Sequence, residues 1–340
     1  MKKVLASALV ALLAISCSKS EEPGVAKEGR LTFSAKAAAT RAYFPGESGK
    51  MYWSNYDNIA AYSFDGTSLI ASDFCAIDAE SAGTDEGTFS PKNILYSSTW
   101  VGSQADTKTV KFYAYYPATN AAATYNTTDN GVQLNIPAIQ SEEFGKSQIC
   151  FSKGVDMTVA EINKEKLVRF EFAPASSLLR VRFSLAEDSD LTEVYIKQVL
   201  ISAENNAISG DCRLNFTTGT LTPAAAVTGK STISVALRTP VKITKNVEEN
   251  PYIYVVLMPS TASIGTLSFT AVTSNNEKLT FAQKSSPETG FLPAMRYSLD
   301  REVAIKVDPD SPDAFYIDGG DAWGSNIVED GSYDDAGNAW

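Results

Sequence analysis

Short runs of alternating apolar and polar residues dominate this chain, and no stretch sustains the 3.6-residue period of an amphipathic helix. Val132, Leu134 and Ile136 alternate with Gln133 and Asn135, and Val168, Phe170 and Phe172 alternate with Arg169 and Glu171. Leu179, Val181, Phe183 and Leu185 are interleaved with Arg180 and Arg182. Leu267, Phe269 and Ala271 are interleaved with Thr266, Ser268 and Thr270. A period of two puts one set on a buried face and the other toward solvent, the pattern of a half-buried strand. Val110–Tyr116 and Tyr252–Met258 are apolar at both parities, which predicts central strands covered on both faces. Turn clusters such as Asp65-Gly66, Asp129-Asn130-Gly131 and Thr218-Gly219 separate the runs. One short helix fits between Met157 and Lys166. The predicted fold class is all-β, built of sandwiches of short strands.

The 340 residues suggest two domains, and a 44% hydrophobic fraction is enough to give each a core. A polar interval from Ser152 to Lys166 separates two strand-rich halves, placing an N-terminal domain at 30–164 and a C-terminal domain at 165–307. Residues 308–340 differ in kind. They hold no Lys or Arg, and nine acids between Asp308 and Asp335 account for most of the net charge of -11. Phe315, Tyr316, Trp323 and Trp340 lie among those acids, and apolar groups set in like charge call for a partner surface.

At the other end, Lys2 and Lys3 precede an apolar run from Val4 to Ile15, followed by Ser16 and Cys17. The run is too short to span a bilayer, which takes roughly 20 residues, and reads as a signal peptide over 1–16. The cysteine after small residues resembles the lipobox of bacterial lipoproteins. That resemblance implies cleavage between Ser16 and Cys17 and acylation of Cys17. An ordinary signal peptide with an incidental cysteine is the alternative. Residues 17–29 form a tether, loosened at Pro23-Gly24. Within it, Ser18-Lys19-Ser20-Glu21-Glu22 resembles the surface-export signal of Bacteroidetes lipoproteins; a plain solvated linker is the other reading.

Composition argues against several kinds of chemistry. The chain has no histidine, which removes the usual Ser-His-Asp and Cys-His nucleophiles and most imidazole-bound metal sites. Paired carboxylates remain chemically possible, but no pair stands out among 40 acids, so an enzyme is a minor reading and no cofactor is expected. The negative charge opposes nucleic-acid binding. Cys75, Cys150 and Cys212 allow at most one disulfide after Cys17, and their pairing is left open. Asp308–Asp313 resembles a calcium loop only loosely, because Pro312 and Asp313 sit where a ligand and a glycine belong. Trp53 and Trp100 read first as packing residues and second as sugar platforms. Tyr113, Tyr115 and Tyr116 read as strand packing.

A family resemblance rests on residues spread along the chain. Arg41-Ala42-Tyr43-Phe44 is followed by Trp53, Asp57, Ile59 and Ala61-Tyr62-Ser63. Phe112 to Pro117 and Leu134-Asn135-Ile136-Pro137 with Gln140 come next. Phe170-Glu171-Phe172, Ile208-Ser209-Gly210, Val256 to Ser260 and Arg296-Tyr297-Ser298-Leu299 complete the series. Their order from about Leu31 to Val307 resembles the fimbrillin-like proteins of Bacteroidetes, subunits and relatives of type V pili. Many relatives carry a histidine after Phe-x-Phe, where this chain has Ala173-Pro174.

The resemblance implies two antiparallel, transthyretin-like β-sandwiches in tandem with the acidic tail. It implies an outer-membrane lipoprotein precursor that becomes a structural or adhesive pilus subunit. In similar pilins an arginine-specific protease removes the first strand, and a strand from another subunit fills the groove it leaves. Here that first strand is expected over Arg30–Ala35, with cleavage between Arg41 and Ala42 or, alternatively, at Arg30. The donor is expected between Asp313 and Val328. Expected partners are other pilin subunits, the outer membrane through the lipid, and a host receptor or glycan. A glycan-binding surface lipoprotein that never polymerises is the runner-up.

Overall fold

The computed structural model describes residues 31–36, 52–91, 103–119, 122–204, 207–224, 231–280, 284–286, 289–307, 315–318 and 327–330. Seven strands form a sheet that closes on itself. Around the barrel they run β1 (Thr32–Lys36), β10 (Leu167–Pro174), β9 (Cys150–Thr158), β5 (Thr109–Tyr116), β2 (Asn58–Asp65), β3 (Ser68–Ile77) and β4 (Glu86–Pro91), which returns to β1. The interior is filled from alternate positions, as a period of two requires: Phe33, Phe112, Phe170 and Phe172 are buried, with Trp53 and Phe89 between them.

The C-terminal half is a two-sheet sandwich. One sheet runs β16 (Tyr252–Leu257), β11 (Ser177–Leu185), β20 (Arg296–Val307) and β21 (Phe315–Asp318), with β22 (Ile327–Asp330) also on β20. The other runs β18 (Lys278–Thr280), β17 (Thr266–Thr273), β12 (Glu193–Ala203), β15 (Ser231–Thr244) and β8 (Ile139–Ser141), with β19 (Lys284–Ser285) on β17. Leu179, Val181 and Phe183 of β11 meet Val199 and Ile201 of β12 and Phe269 of β17 between the two sheets.

A third core joins the halves. The four-stranded sheet β14 (Leu221–Pro223), β13 (Gly210–Asn215), β7 (Gly131–Ile136) and β6 (Tyr125–Asn126) lies against the outer face of the barrel. Tyr62 and Tyr115 from the barrel pack with Leu214 and Phe216, and with Val256 and Met258 of the sandwich. This explains the two runs apolar at both parities. Phe112 and Ala114 of β5 face the barrel interior while Tyr113 and Tyr115 face the third core. In β16, Ile253 and Val255 face the sandwich core, and Tyr254 and Val256 face the third. Gln140 adds a polar link. Its buried side-chain amide donates to the Val256 carbonyl at 2.8 Å and accepts from the Val256 N–H at 2.9 Å, standing in for a neighbouring strand.

The all-β expectation holds, with two corrections. The first half is a closed barrel rather than an open antiparallel sandwich, and the pairs β1–β10, β11–β20 and β15–β8 are parallel. Strand pairing also ignores the division expected at Lys164. The polar interval there contains the end of β9 and one short helix, α1 (Val159–Glu165), which leads back into the barrel through β10. The helix has a capping box between Thr158 and Glu161 and ends at Lys166, whose φ of 52° is left-handed. A capped helix with one apolar stripe, Val159 and Ile162, looks from sequence like a linker.

Candidate functional site: the strand that closes the barrel

The strand expected over Arg30–Ala35 is present as β1. It pairs in parallel with β10 from Thr32↔Leu167 to Lys36↔Glu171, and antiparallel with β4 from Phe33↔Phe89 to Lys36↔Glu86. The turn at the end of α1 sets its start: the Lys166 carbonyl accepts both the Thr32 N–H and the Thr32 hydroxyl at 3.0 Å. Leu31, Phe33 and Ala35 point into the barrel and are buried, while Lys36 is exposed. The Phe33 ring stacks on Phe170 at 5.4 Å between centroids and meets Phe112 edge-on at 6.4 Å.

Trp53 locks this arrangement from the inside. It is 1% exposed, and its indole N–H donates to the Ala35 carbonyl at 2.9 Å. Phe89, Tyr116 and Phe172 surround the indole edge-on at 5.0 to 6.0 Å. Gly87, opposite Ala35, leaves the room for it: a Cβ there would lie 2.8 Å from both the Trp53 and Phe89 rings. Asp57 holds the chain beside the tryptophan, accepting from the Ser54 N–H at 2.6 Å and from the Tyr116 hydroxyl at 3.0 Å. Burial, and then the neighbouring Asp57 carboxylate, push the Tyr116 phenol well above its usual range.

Burying Leu31 and Phe33 is worth about 3–6 kcal/mol, whereas fixing five backbone residues costs about 5–10 kcal/mol. The strand therefore depends on its two hydrogen-bonded ladders and on being covalently continuous with the rest of the chain.

The sequence-predicted residues divide clearly. Ser16, Cys17, Arg30, Arg41, Ala42, Trp100 and the Asp308–Asp313 segment lie outside the described residues. Trp53 is a core residue and presents no sugar platform, and Tyr113 packs in a stack with Phe151 and Phe216, in keeping with its reading as strand packing. Cys75, Cys150 and Cys212 are free and buried, and burial raises all three thiols, Cys150 and Cys212 to about 12. The expected donor region overlaps β21 and β22, which lie along β20 in antiparallel register, Val307↔Phe315 and Arg296↔Asp330 among the pairs. Among the described residues there is no group of three Asp, Glu or Cys placed to hold a metal, and no helix is long and apolar enough to cross a membrane. The bond from Trp53 to Ala35 was not visible in the sequence, because nothing local connects the two positions.

A family model described as fimbrillin-like matches residues 40–310, most of the chain. The chain belongs to the fimbrillin-like family. Membership supports a pilus-related or adhesive role. No curated protein matches it. Among solved structures, this fimbrillin-like chain is similar to a candidate cell adhesion protein of Bacteroides uniformis, 16% identical over 82% of this chain and 95% of that one, with a TM-score of 0.51. A second, from Bacteroides ovatus, is 13% identical over 87% and 96%, with a TM-score of 0.52. At these identities the likeness is one of fold. The family match begins after β1 and ends before β21.

Proposed function

We propose that this chain is a structural or adhesive subunit of a cell-surface pilus, made as an outer-membrane lipoprotein and assembled by strand exchange. The observation that carries the proposal is β1, a five-residue strand that closes a barrel with buried side chains and, among the described residues, is held by no disulfide. Lipid on Cys17 would tether the precursor to the outer membrane. A cut between Arg41 and Ala42 then lies beyond β1, so one event frees the slot and severs the anchor. A cut at Arg30 releases the lipid but leaves β1 in place, which separates the two candidate sites physically. The slot left behind presents two unpaired strand edges, those of β4 and β10, beside a cavity lined by Trp53, Phe112 and Phe170. A strand from another copy satisfies both edges, and because donor and slot are different surfaces the contact propagates. The donor is the segment between Asp313 and Val328, which must leave β20 to serve. We assign the chain no catalytic role.

The test is limited digestion of the full chain with an arginine-specific protease, followed by N-terminal sequencing and native mass spectrometry. A new N-terminus at Ala42 together with a ladder of oligomers supports the proposal, and Arg41→Ala should block both. A protein cut after Arg41 that loses β1 and stays monomeric ends it.

A further inference from the structure

A recess on the described surface lies away from β1. It is a groove of about 1060 Å³ between the chain that follows β5 and the sheet edge at β7, with Lys146–Ile149 at one end. We infer that this groove binds a neutral oligosaccharide.

Its walls are pre-formed. On the barrel side the Ala123 N–H donates to the Tyr115 hydroxyl at 3.0 Å, and the Tyr62 hydroxyl donates to the Ala123 carbonyl at 2.6 Å. The sheet side presents cross-strand pairs of polar residues, Asn135 opposite Asp211 and Gln133 opposite Arg213. The Asn135 amide donates to one oxygen of the exposed Asp211 carboxylate at 2.8 Å, and a carboxylate has further lone pairs with which to accept. On the side of β7 away from β13, beyond the two-residue β6, Gln133 to Ile136 have no strand beside them among the described residues. Pro117, Tyr125 and Leu134 contribute to the apolar part of the lining.

Charge decides the ligand class. The lining holds two cations and two carboxylates, and both cations are already engaged. Arg213 pairs with Asp129 at 3.0 Å and Lys146 with Glu143. Among the described lining residues each cation already has a carboxylate partner, which disfavours a phosphate, sulfate or uronate, and an anionic polymer also meets the net charge of -11. Oriented amides and carboxylates beside apolar surface suit a ligand whose groups both donate and accept, namely vicinal hydroxyls on a ring with apolar faces. The groove contains no residue of β1, so the inference stands or falls independently of strand exchange.

The experiment presents the full chain to an array of neutral and acidic glycans, then measures affinity for the neutral hits by calorimetry. Retention of at least one neutral oligosaccharide is expected, with affinity falling at least tenfold in Asn135→Ala/Asp211→Ala, whose positions are exposed, while the thermal midpoint stays unchanged. Gln133→Trp, which fills the groove, should abolish binding even if the double variant folds poorly. No neutral glycan retained, acidic glycans retained exclusively, affinity indifferent to Gln133→Trp, or an extended peptide displacing the sugar from the β7 edge would each overturn it.

Discussion

Trp53 ties the barrel to its own first strand through one hydrogen bond, and a phenylalanine there removes the bond and part of the ring. Trp53→Phe should lower stability by about 1–3 kcal/mol, read as a lower urea midpoint, because it leaves the buried Ala35 carbonyl short of a donor. Gly87→Ala should cost a similar amount by the opposite route, crowding two rings that have nowhere to move. The three thiols make a pH prediction with a definite sign. Burial raises their folded-state values above those of the unfolded chain. The stability this confers is fully present below the ordinary thiol value of about 8.5 and is lost as pH climbs toward 12. Each thiol should contribute a decline of about 1.4 kcal/mol per pH unit in that window. Urea midpoints between pH 8 and pH 10.5 should fall steeply, and Cys150→Ala should make the fall shallower. A flat profile would mean the thiols ionise freely in the native state.

At the level of elements, β1 is worth more than its length suggests. Phe33→Ala should destabilise by about 3–5 kcal/mol in guanidinium titrations, and Lys36→Ala, on the exposed end, by almost nothing. The alternation at Val168, Phe170 and Phe172 was enough to read β10 from the sequence, and the double-faced apolar run at Val110–Tyr116 marked β5 as central. The same reading of β16 was half right, since its two faces are covered but it lies at the edge of its sheet, paired only with β11 among the described strands. What could not be read was which strands pair in parallel. Thr32 meets Leu167 across 135 positions with no local turn to betray it, so an open sandwich and a closed barrel look alike in one dimension. Strand pairing crosses the boundary drawn at Lys164 for a related reason: α1 is polar on most of its surface, yet it joins two neighbouring staves of one barrel. The groove beside β7 was invisible because Gln133 and Asn135 alternate with apolar residues as any solvent-facing positions do. Nothing in the chain before the fold says that a recess lies beside them.

For the whole molecule, the third core predicts cooperative behaviour. Tyr62 from the barrel and Val256 from the sandwich lie in one apolar cluster, so neither half can open without exposing the other. Calorimetry should show one transition whose van't Hoff and calorimetric enthalpies agree; two resolved transitions would mean the halves are energetically separate. The parallel seam between β1 and β10 also has a kinetic consequence. The first strand made is among the last whose partners exist, since its neighbour is synthesised some 130 residues later and loop closure over that distance is slow. Docking of β1 therefore comes after the folding barrier, and lesions in it should speed unfolding while leaving the refolding rate nearly untouched. A segment with that signature adds lifetime to the folded chain without being needed to reach it.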